Sequence, residues 1–383
     1  MKRSTGRILA THQGTLPRSL ELKDMVLTKE EGLPCDDATL AAAVRQSVHE
    51  VVRKQADIGI DFINDGEHAK SAFHYYARAR LSGHEPRDYA EGEGPPYLNT
   101  AGRDYRDFPG FFAQRGSSFK RRRSFVTARI RYTGHAAAKT DIENIKLALA
   151  AAPAAEGMLM AVTPGTIEHW LHDEYYGNQE AFLFAIADAM HEEYKAITDA
   201  GLIVHIDSPD FADSWQIYPS MTLTEYRAYT ELRVAALNRA LHGIPAERVI
   251  VHMCWGSFHN PHTNDLPLAD LIGFLFDVNA EAVSIEASNS RHEHEWTVFE
   301  KFKLPPGRIL IPGVVGHASD IVEHPELVAQ RLMRYAKLVG RENVIAGTDC
   351  GIGSRVGHAE VAWAKLNTLV DGARIASRSL WGR

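Results

Sequence analysis

Short apolar runs that alternate with segments of helical periodicity are the feature of this sequence that most limits its possible folds. Nine such runs end in polar or glycine residues, and they begin at Arg7, Ile60, Ala128, Met158, Leu202, Val249, Ala282, Arg308 and Asn343. Between two of them, 181–200 carries apolar residues three and four positions apart, which predicts a helix. Near-continuous apolar strands followed by helices predict a parallel sheet that helices cover on both faces.

The number of runs fits an α/β fold in which the strands close into a (β/α)₈ TIM barrel, and one run is left over. The run "ARIRYTG" at 128–134 is the weakest strand candidate because it contains two arginines, so we assign it to an excursion. That excursion is expected near 84–125, where Gly, Pro, Tyr and charged residues show little periodicity. An active-site lid and a surface insertion both fit this composition. We expect 1–383 to form a single barrel domain.

Composition excludes several other classes of protein. The 383 residues carry a formal net charge of -7, which argues against nucleic acid as the main partner. The basic run at 120–123 is expected to be a solvated loop or a site that attracts an anionic substrate tail. Three cysteines give no disulfide framework, and no apolar stretch suits a signal peptide or a bilayer span. We therefore expect a cytoplasmic protein without a membrane or nucleic-acid partner.

Ligand-type side chains stand where several of the apolar runs end. Residues two apart in a strand point to the same side, so His252 and Cys254 face one way. Glu286 ends the next run, and Cys350 ends the last one. The carboxyl ends of barrel strands form the active-site face in this architecture. Closing the barrel would bring these four residues around one point.

Histidine, cysteine and glutamate are residue types that bind Zn²⁺. His252 and Cys254 alone are a weak signal, because a buried cysteine beside a hydrogen-bonded core histidine is commoner. Glu286 and Cys350 strengthen it, since a buried carboxylate is costly unless it is paired or metal-bound. Two thiolates and a carboxylate make zinc a poor acid for activating water, but they suit a zinc-bound substrate thiolate. The ligand set thus favours alkyl transfer to sulfur over hydrolysis.

Six segments in this order resemble the catalytic barrel of the cobalamin-independent methionine synthase family. They are "THQGTLPR" at 11–18, "NDGE" at 64–67, "HIDSPD" at 205–210, "HMCWG" at 252–256, "SIEAS" at 284–288 and "GTDCG" at 347–351. The resemblance implies a (β/α)₈ barrel in which His252, Cys254, Glu286 and Cys350 hold zinc. It also implies methyl or alkyl transfer to a zinc-bound thiol.

The same resemblance implies residues that bind the thiol substrate. Gln13, Gly14 and Thr15 match the family's turn that holds the carboxylate of homocysteine, although Gln13 replaces an isoleucine and makes the pocket more polar. Glu67 and Asp207 match the two acids that hold its ammonium group. Both acids could instead be hydrogen-bonding residues at the barrel mouth.

Three further matches are less regular. Trp170 corresponds to the tryptophan that stacks on folate, with lid packing as the alternative. His317, in "GVVGHASD", corresponds to the catalytic histidine that follows the eighth strand, but it lies one position early, and a helix-start role fits equally. Ser208 replaces a glutamate of the family pattern.

A short single-barrel branch of the family offers a second function. The segments at 254–256 ("CWG") and 291–296 ("RHEHEW") resemble epoxyalkane:coenzyme M transferases, which open an epoxide with a zinc-bound thiolate. The donor would then be an epoxide instead of a folate or corrinoid methyl donor, and Arg18 or 120–123 could bind the sulfonate. The cluster at 292–295 is expected to be a solvated helix start. A zinc hydrolase and a non-enzymatic zinc-binding barrel remain alternatives.

Overall fold

A computed structural model of the protein describes residues 1–88, 102–115, 123–152, 154–256 and 259–382. Its eleven strands are β1 (Leu9–Ala10), β2 (Phe62–Ile63), β3 (Leu81–Arg87), β4 (Arg123–Tyr132), β5 (Glu156–Val162), β6 (Leu171–Asp173), β7 (Ile203–Asp207), β8 (Val249–Met253), β9 (Ala282–Glu286), β10 (Ile309–Val315) and β11 (Ile345–Thr348). Eight of them form one parallel sheet in the order β1-β11-β10-β9-β8-β7-β5-β2. A backbone hydrogen bond of 2.9 Å from Asp61 N to Ala10 O joins the two ends of this sheet. The predicted TIM-type barrel is therefore confirmed.

Fourteen α-helices accompany these strands in the described ranges. They are α1 (Leu20–Glu30), α2 (Asp37–Ile58), α3 (Tyr75–Ala79), α4 (Arg103–Asp107), α5 (Pro109–Arg115), α6 (His135–Ala150), α7 (Pro164–Glu168), α8 (Gln179–Asp199), α9 (Ser214–Ile217), α10 (Leu223–Ala240), α11 (Leu268–Asp277), α12 (Val298–Lys301), α13 (Pro325–Val339) and α14 (Ala359–Trp381). The helix predicted over 181–200 is α8. Asn178 caps α8 and Thr222 forms a capping box with Glu225 at the start of α10, so local sequence sets where both helices begin.

The surplus ninth run lies outside the barrel, as the sequence predicted, and it belongs to a separate three-stranded sheet. β3 pairs with β4 in antiparallel fashion, and β4 pairs with β6 in parallel fashion. This sheet is inserted between β2 and α6 and takes its third strand from the segment after α7. The excursion is thus wider than the expected 84–125, because its described parts begin at Leu81 and end at Tyr132. Residues 120–122 of the basic run lie outside the described residues.

The interior of the barrel consists of two contrasting layers. Near the beginnings of the strands, apolar side chains form a closed cluster that we call the lower layer: Leu9, Phe62, Met158, Ile203, Ile250, Ala282, Ile309, Ile311 and Ile345. Polar side chains occupy the carboxyl ends. The main apolar core lies outside the barrel wall, between the strands and the surrounding helices. None of the described helices has both the length and the apolar composition that a membrane crossing requires.

Candidate functional site

Three of the four predicted metal ligands meet at the carboxyl ends of the barrel strands. His252 lies in β8, Cys254 follows β8, and Cys350 lies two residues beyond β11. Their ligand atoms all lie within 4.8 Å of one another, and all three side chains are buried. The parallel register places Asp207 of β7 and Ser284 of β9 on either side of His252. Residues that are far apart in sequence are thus brought together by closure of the barrel.

The ring of His252 is oriented by a neighbouring strand. Its Nδ1 lies 2.9 Å from Ser284 Oγ, while Nε2 is buried and has no hydrogen-bond partner among the described residues. An imidazole that is fixed through one nitrogen and leaves the other unsatisfied is the usual arrangement of a metal ligand. The contact with Ser284 therefore orients the ring so that Nε2 can bind a metal ion at the cluster.

The pKa values of the two cysteines in the cluster are shifted in opposite directions. A hydrogen bond from the Cys254 thiol lowers the pKa of Cys350, and nearby His252 and His317 lower it further against the effect of burial. The same hydrogen bond, together with burial, raises the pKa of Cys254. A bound cation would favour the ionised form of both sulfurs.

Glu286 stands beside this cluster without belonging to it. Among the described residues, the group of ligand atoms within 4.8 Å of one another does not include its carboxylate. Oε2 accepts a hydrogen bond of 2.5 Å from Asn289 Nδ2, whereas buried Oε1 has no partner there. Burial and the nearby Asp349 and Cys350 raise the pKa of Glu286 well above its ordinary value. A cation at the cluster would relieve this cost.

Glu67 is held in an unusual backbone conformation by several hydrogen bonds. Its φ of 57° lies in the left-handed region, which is uncommon for a non-glycine residue. Asp65 Oδ1 accepts from Glu67 N at 2.9 Å, and Arg18 donates to the Glu67 carbonyl at 2.5 Å. Thr15 Oγ1 donates to the carboxylate at 2.5 Å, so the structure brings predicted residues Thr15 and Glu67 together. Burial raises the pKa of Glu67 despite nearby Lys70.

Asp207 and Gln13 present unsatisfied polar atoms to the same space. Burial raises the pKa of Asp207 well above its ordinary value, and nearby Cys350 and Glu67 add to this effect, whereas Gln13 beside it opposes it. Asp207 Oδ1 and both amide atoms of Gln13 are buried, with no hydrogen bond of good geometry to the described residues. Such groups are costly unless a ligand or water satisfies them. They point to a polar ligand next to the cysteines.

His317 also belongs to this site, but it follows β10, the seventh strand of the barrel. The expectation that it follows the eighth strand is therefore wrong, because the eighth barrel strand is β11, which precedes Cys350. The side chain is buried, and both ring nitrogens lack hydrogen-bond partners in the described part of the chain. Burial lowers its pKa to about 4, although nearby Cys350 works in the opposite direction.

Trp170 lies at the edge of the barrel and is half-buried. Its ring stacks on His74, with ring centroids 4.1 Å apart and an interplanar angle of 14°. One face of the indole is therefore covered by a residue from the segment before α3. This contact fits the lid-packing alternative.

A 3₁₀ helix begins at the cluster 292–295, as expected, but His292 and Glu295 are buried and not solvated. His292 is buried and lies 3.1 Å from Asp265 and 3.0 Å from Glu295. Trp255 stacks on its ring with centroids 3.5 Å apart. Burial lowers its pKa, but hydrogen bonds to the two carboxylates outweigh burial and raise it. This cluster packs against Trp255, which directly follows Cys254. The sequence did not reveal the cluster because its acidic partner Asp265 lies 27 residues away from His292.

Sequence reasoning also missed two buried residues near the metal ligands. His205, two positions before Asp207 in β7, has no partner for either ring nitrogen among the described residues. Its ring lies edge-on to that of His252, with centroids 6.3 Å apart. Asp349 accepts hydrogen bonds from the loop after β9. The period-two pattern of β7 would have identified His205 as an inward-facing residue.

Comparisons with known proteins agree with this geometry. The model of the catalytic domain of cobalamin-independent synthases matches residues 119–375. A methionine synthase of Thermococcus kodakarensis is 24% identical over 369 residues, which cover 96% of this chain and 93% of that protein. One from Sulfolobus acidocaldarius is 22% identical, over 96% of this chain and 91% of its own. The structure of a B12-independent methionine synthase from Shewanella sp. W3-18-1 has a TM-score of 0.73 at 20% identity, covering 98% of this chain and 100% of that one.

Proposed function

The chain belongs to the cobalamin-independent synthase family through that family's catalytic domain, and we propose that it is a zinc-dependent transferase that carries a methyl or alkyl group to the sulfur of a small thiol. The observation that carries this proposal is the cluster of His252, Cys254 and Cys350 at the mouth of the barrel. Homocysteine is the proposed acceptor, because relatives called methionine synthases align with 96% of this chain.

The unsatisfied atoms around the cluster fit a zinc ion. His252 Nε2 and Glu286 Oε1 are both buried and without hydrogen-bond partners in the described ranges, and two cysteines complete a set of four ligands. When bound, zinc supplies the positive charge that keeps thiols ionised near neutral pH. The three cysteines form no disulfide in the described residues, which fits a reducing compartment, so the cytoplasm is the proposed location.

The chain's own residues would hold the substrate through its amino-acid end. Glu67 and Asp207 are buried carboxylates whose pKa values are raised, so an ammonium group between them would favour their ionised forms. Gln13 offers an amide donor and acceptor beside Asp207 for the carboxylate end. Thr15 fixes one oxygen of Glu67 and so limits where the ammonium group can lie.

His317 is the proposed proton acceptor. Its two unsatisfied ring nitrogens lie close enough to Cys350 and His252 for their charges to affect its pKa. An imidazole in this place can take the proton that the substrate thiol loses when it enters the site. Loss of that proton is needed because the thiolate is the nucleophile in attack on the donor carbon.

The methyl donor is proposed to be a folate or a corrinoid. A pterin ring would have to stack on the face of Trp170 that His74 does not cover. Coenzyme M and an epoxide are less well supported as substrates. Arg18, the predicted sulfonate-binding residue, donates to the carbonyls of Glu67 and Ser71 instead. The carboxylates of Glu67 and Asp207 would also repel a sulfonate.

A turnover assay tests this function. Zinc-loaded protein with homocysteine and either methyltetrahydrofolate or methylcobalamin should produce methionine, and Cys350→Ser protein should not. Coenzyme M with epoxypropane is the matched comparison and should give no thioether. Hydrolysis of esters or amides without any thiol would contradict the proposal.

A further inference from the structure

Asp349 joins two loops that carry different metal ligands. It lies in the loop after β11, immediately before Cys350. Its Oδ1 accepts hydrogen bonds from Ala287 N at 2.7 Å and Ser288 N at 2.9 Å, and its Oδ2 accepts one from Ser288 Oγ at 2.7 Å. Ala287 directly follows Glu286, which ends β9. The carboxylate therefore links the backbone beside Glu286 to the backbone beside Cys350.

The surrounding strands leave Asp349 little freedom. Its own N–H donates to Val315 O at 2.9 Å, and the side chain is fully buried. Gly313 lies opposite, and a Cβ at that position would be only 2.5 Å from both Asp349 Cα and Oδ1. Cβ atoms in proteins essentially never lie within 3.0 Å of such a neighbouring heavy atom. The missing side chain at Gly313 is thus what admits Asp349 to the space between β10 and the ligand loops.

Glu286 depends on these neighbours for its position. Its carboxylate has one hydrogen bond of its own, from Asn289 Nδ2 to Oε2, and Oε1 has no partner in the described ranges. Asn289 follows Ser288, so the residue that orients Glu286 belongs to the same loop that Asp349 holds. Without the carboxylate of Asp349, two buried N–H groups and a hydroxyl would lose their acceptor.

We propose that Asp349 is a positioning residue that fixes Glu286 against Cys350 and so allows Glu286 to complete the metal site. The inference rests on the proposed zinc function. Residues that hold metal ligands in this way usually change metal affinity by about 10–100-fold when they are removed. Because Asp349 acts through Glu286, its effect should depend on the presence of that carboxylate.

The test is a double-mutant cycle on zinc affinity, measured by competition with a chromophoric chelator. We expect Asp349→Ala to weaken zinc binding by about 10–100-fold in the wild-type background, and by less than about threefold in Glu286→Ala protein. The visible spectrum of the Co²⁺-substituted protein should change in the same variants, because it reports ligand geometry. An equal loss in both backgrounds, or an affinity of Asp349→Ala within about twofold of wild type, overturns the inference.

Two further variants separate positioning from folding. Ser288→Ala removes one donor to Asp349 and leaves the backbone contacts; it should weaken zinc binding by about 2–10-fold, as one hydrogen bond would. If Asp349→Ala does not fold, Ser288→Ala replaces it in the double-mutant cycle with Glu286→Ala, and an equal loss in both backgrounds again overturns the inference. Asp210→Asn is the matched control. Asp210 lies after β7 and accepts hydrogen bonds from Thr163 and Thr166, so this variant should keep wild-type zinc affinity. Wild-type protein that fails to bind zinc would refute the proposed function itself.

Discussion

The two ends of the barrel interior are built from the same strands, yet they have opposite chemistry. In β8, Ile250 belongs to the apolar lower layer. His252, two residues later, lies beside the two cysteines, and its Nε2 has no hydrogen-bond partner among the described residues. In β9, Ala282 and Glu286 show the same change. The lower layer is complete without any ligand. The polar side chains at the carboxyl ends, which we call the upper layer, include buried atoms without hydrogen-bond partners among the described residues. This is expected where structure is retained for binding at a cost in stability.

The largest effect on zinc binding is expected at the carboxyl ends of the barrel strands. Cys350→Ser removes a thiolate from the cluster and replaces it with a hydroxyl, which is a poor zinc ligand. We expect zinc affinity to fall by more than about 100-fold, the upper limit for a residue that only supports a ligand. Methionine formation should be lost in proportion. Zinc content measured after dialysis against a chelator is the readout, and retention of one zinc per chain would contradict the assignment.

A truncation in the lower layer should lower the stability of the fold and leave zinc binding nearly unchanged. Ile250→Ala leaves a cavity in a closed apolar cluster and should lower the free energy of unfolding by about 2–5 kcal/mol. Zinc affinity of the protein that remains folded should stay within about threefold of wild type, because Ile250 belongs to the lower layer and is not among the candidate ligands. Urea denaturation and chelator competition measure the two quantities. Ile250→Val is the graded control, with a loss of about 0.5–1.5 kcal/mol.

Asp207→Asn should change stability and binding in opposite directions. It replaces a buried carboxylate that lacks a partner at Oδ1, so the metal-free protein should gain about 1–3 kcal/mol. The same change should raise the KM for homocysteine by about tenfold or more, because one charge on the ammonium site is lost. Asp210→Asn is the control and should leave KM unchanged. A metal-free Asp207→Asn protein that is less stable than wild type would argue against an unsatisfied upper layer.

The smallest expected effect concerns His292 and depends on pH. Trp255 stacks on the ring of this histidine, and His262 shares Asp265 with it. Burial lowers the pKa of His292, but hydrogen bonds to Asp265 and Glu295 outweigh burial and raise the folded-state pKa. A raised histidine pKa adds stability that is fully present below the unfolded value of about 6.5 and is lost as pH rises through the folded value. His292→Gln should therefore flatten the fall in thermal stability as pH rises above about 6.5. An unchanged pH profile would contradict protonation of His292.

Sequence predicted the parts of the molecule that local pattern controls. Apolar runs gave all eight barrel strands, and the two arginines of 128–134 correctly excluded that run from the barrel. The period-two pattern placed His252 and Cys254 on one side, and the strand-end position of Cys350 predicted that barrel closure would bring it to them. The side-chain pattern was sufficient wherever the period of a strand decides which side a residue faces.

Contacts between distant loops could not be predicted in the same way. The roles of His292 and Asp349 depend on partners 27 and about 60 residues away, with no periodic relation between them. Glu286 was expected among the ligands from its strand-end position, yet its distance from the cluster is set by the loop that Asp349 and Asn289 hold. The position of Trp170 likewise depends on His74, in a segment outside the barrel pattern.

Zinc K-edge X-ray absorption on the purified protein, with and without homocysteine, tests the central claim most directly. We expect two sulfur ligands in the resting protein, from Cys254 and Cys350, and a third when homocysteine is added without a methyl donor. Coenzyme M in place of homocysteine should leave the count at two. A sulfur count that homocysteine does not change, in protein that contains zinc, would contradict thiol activation at this site.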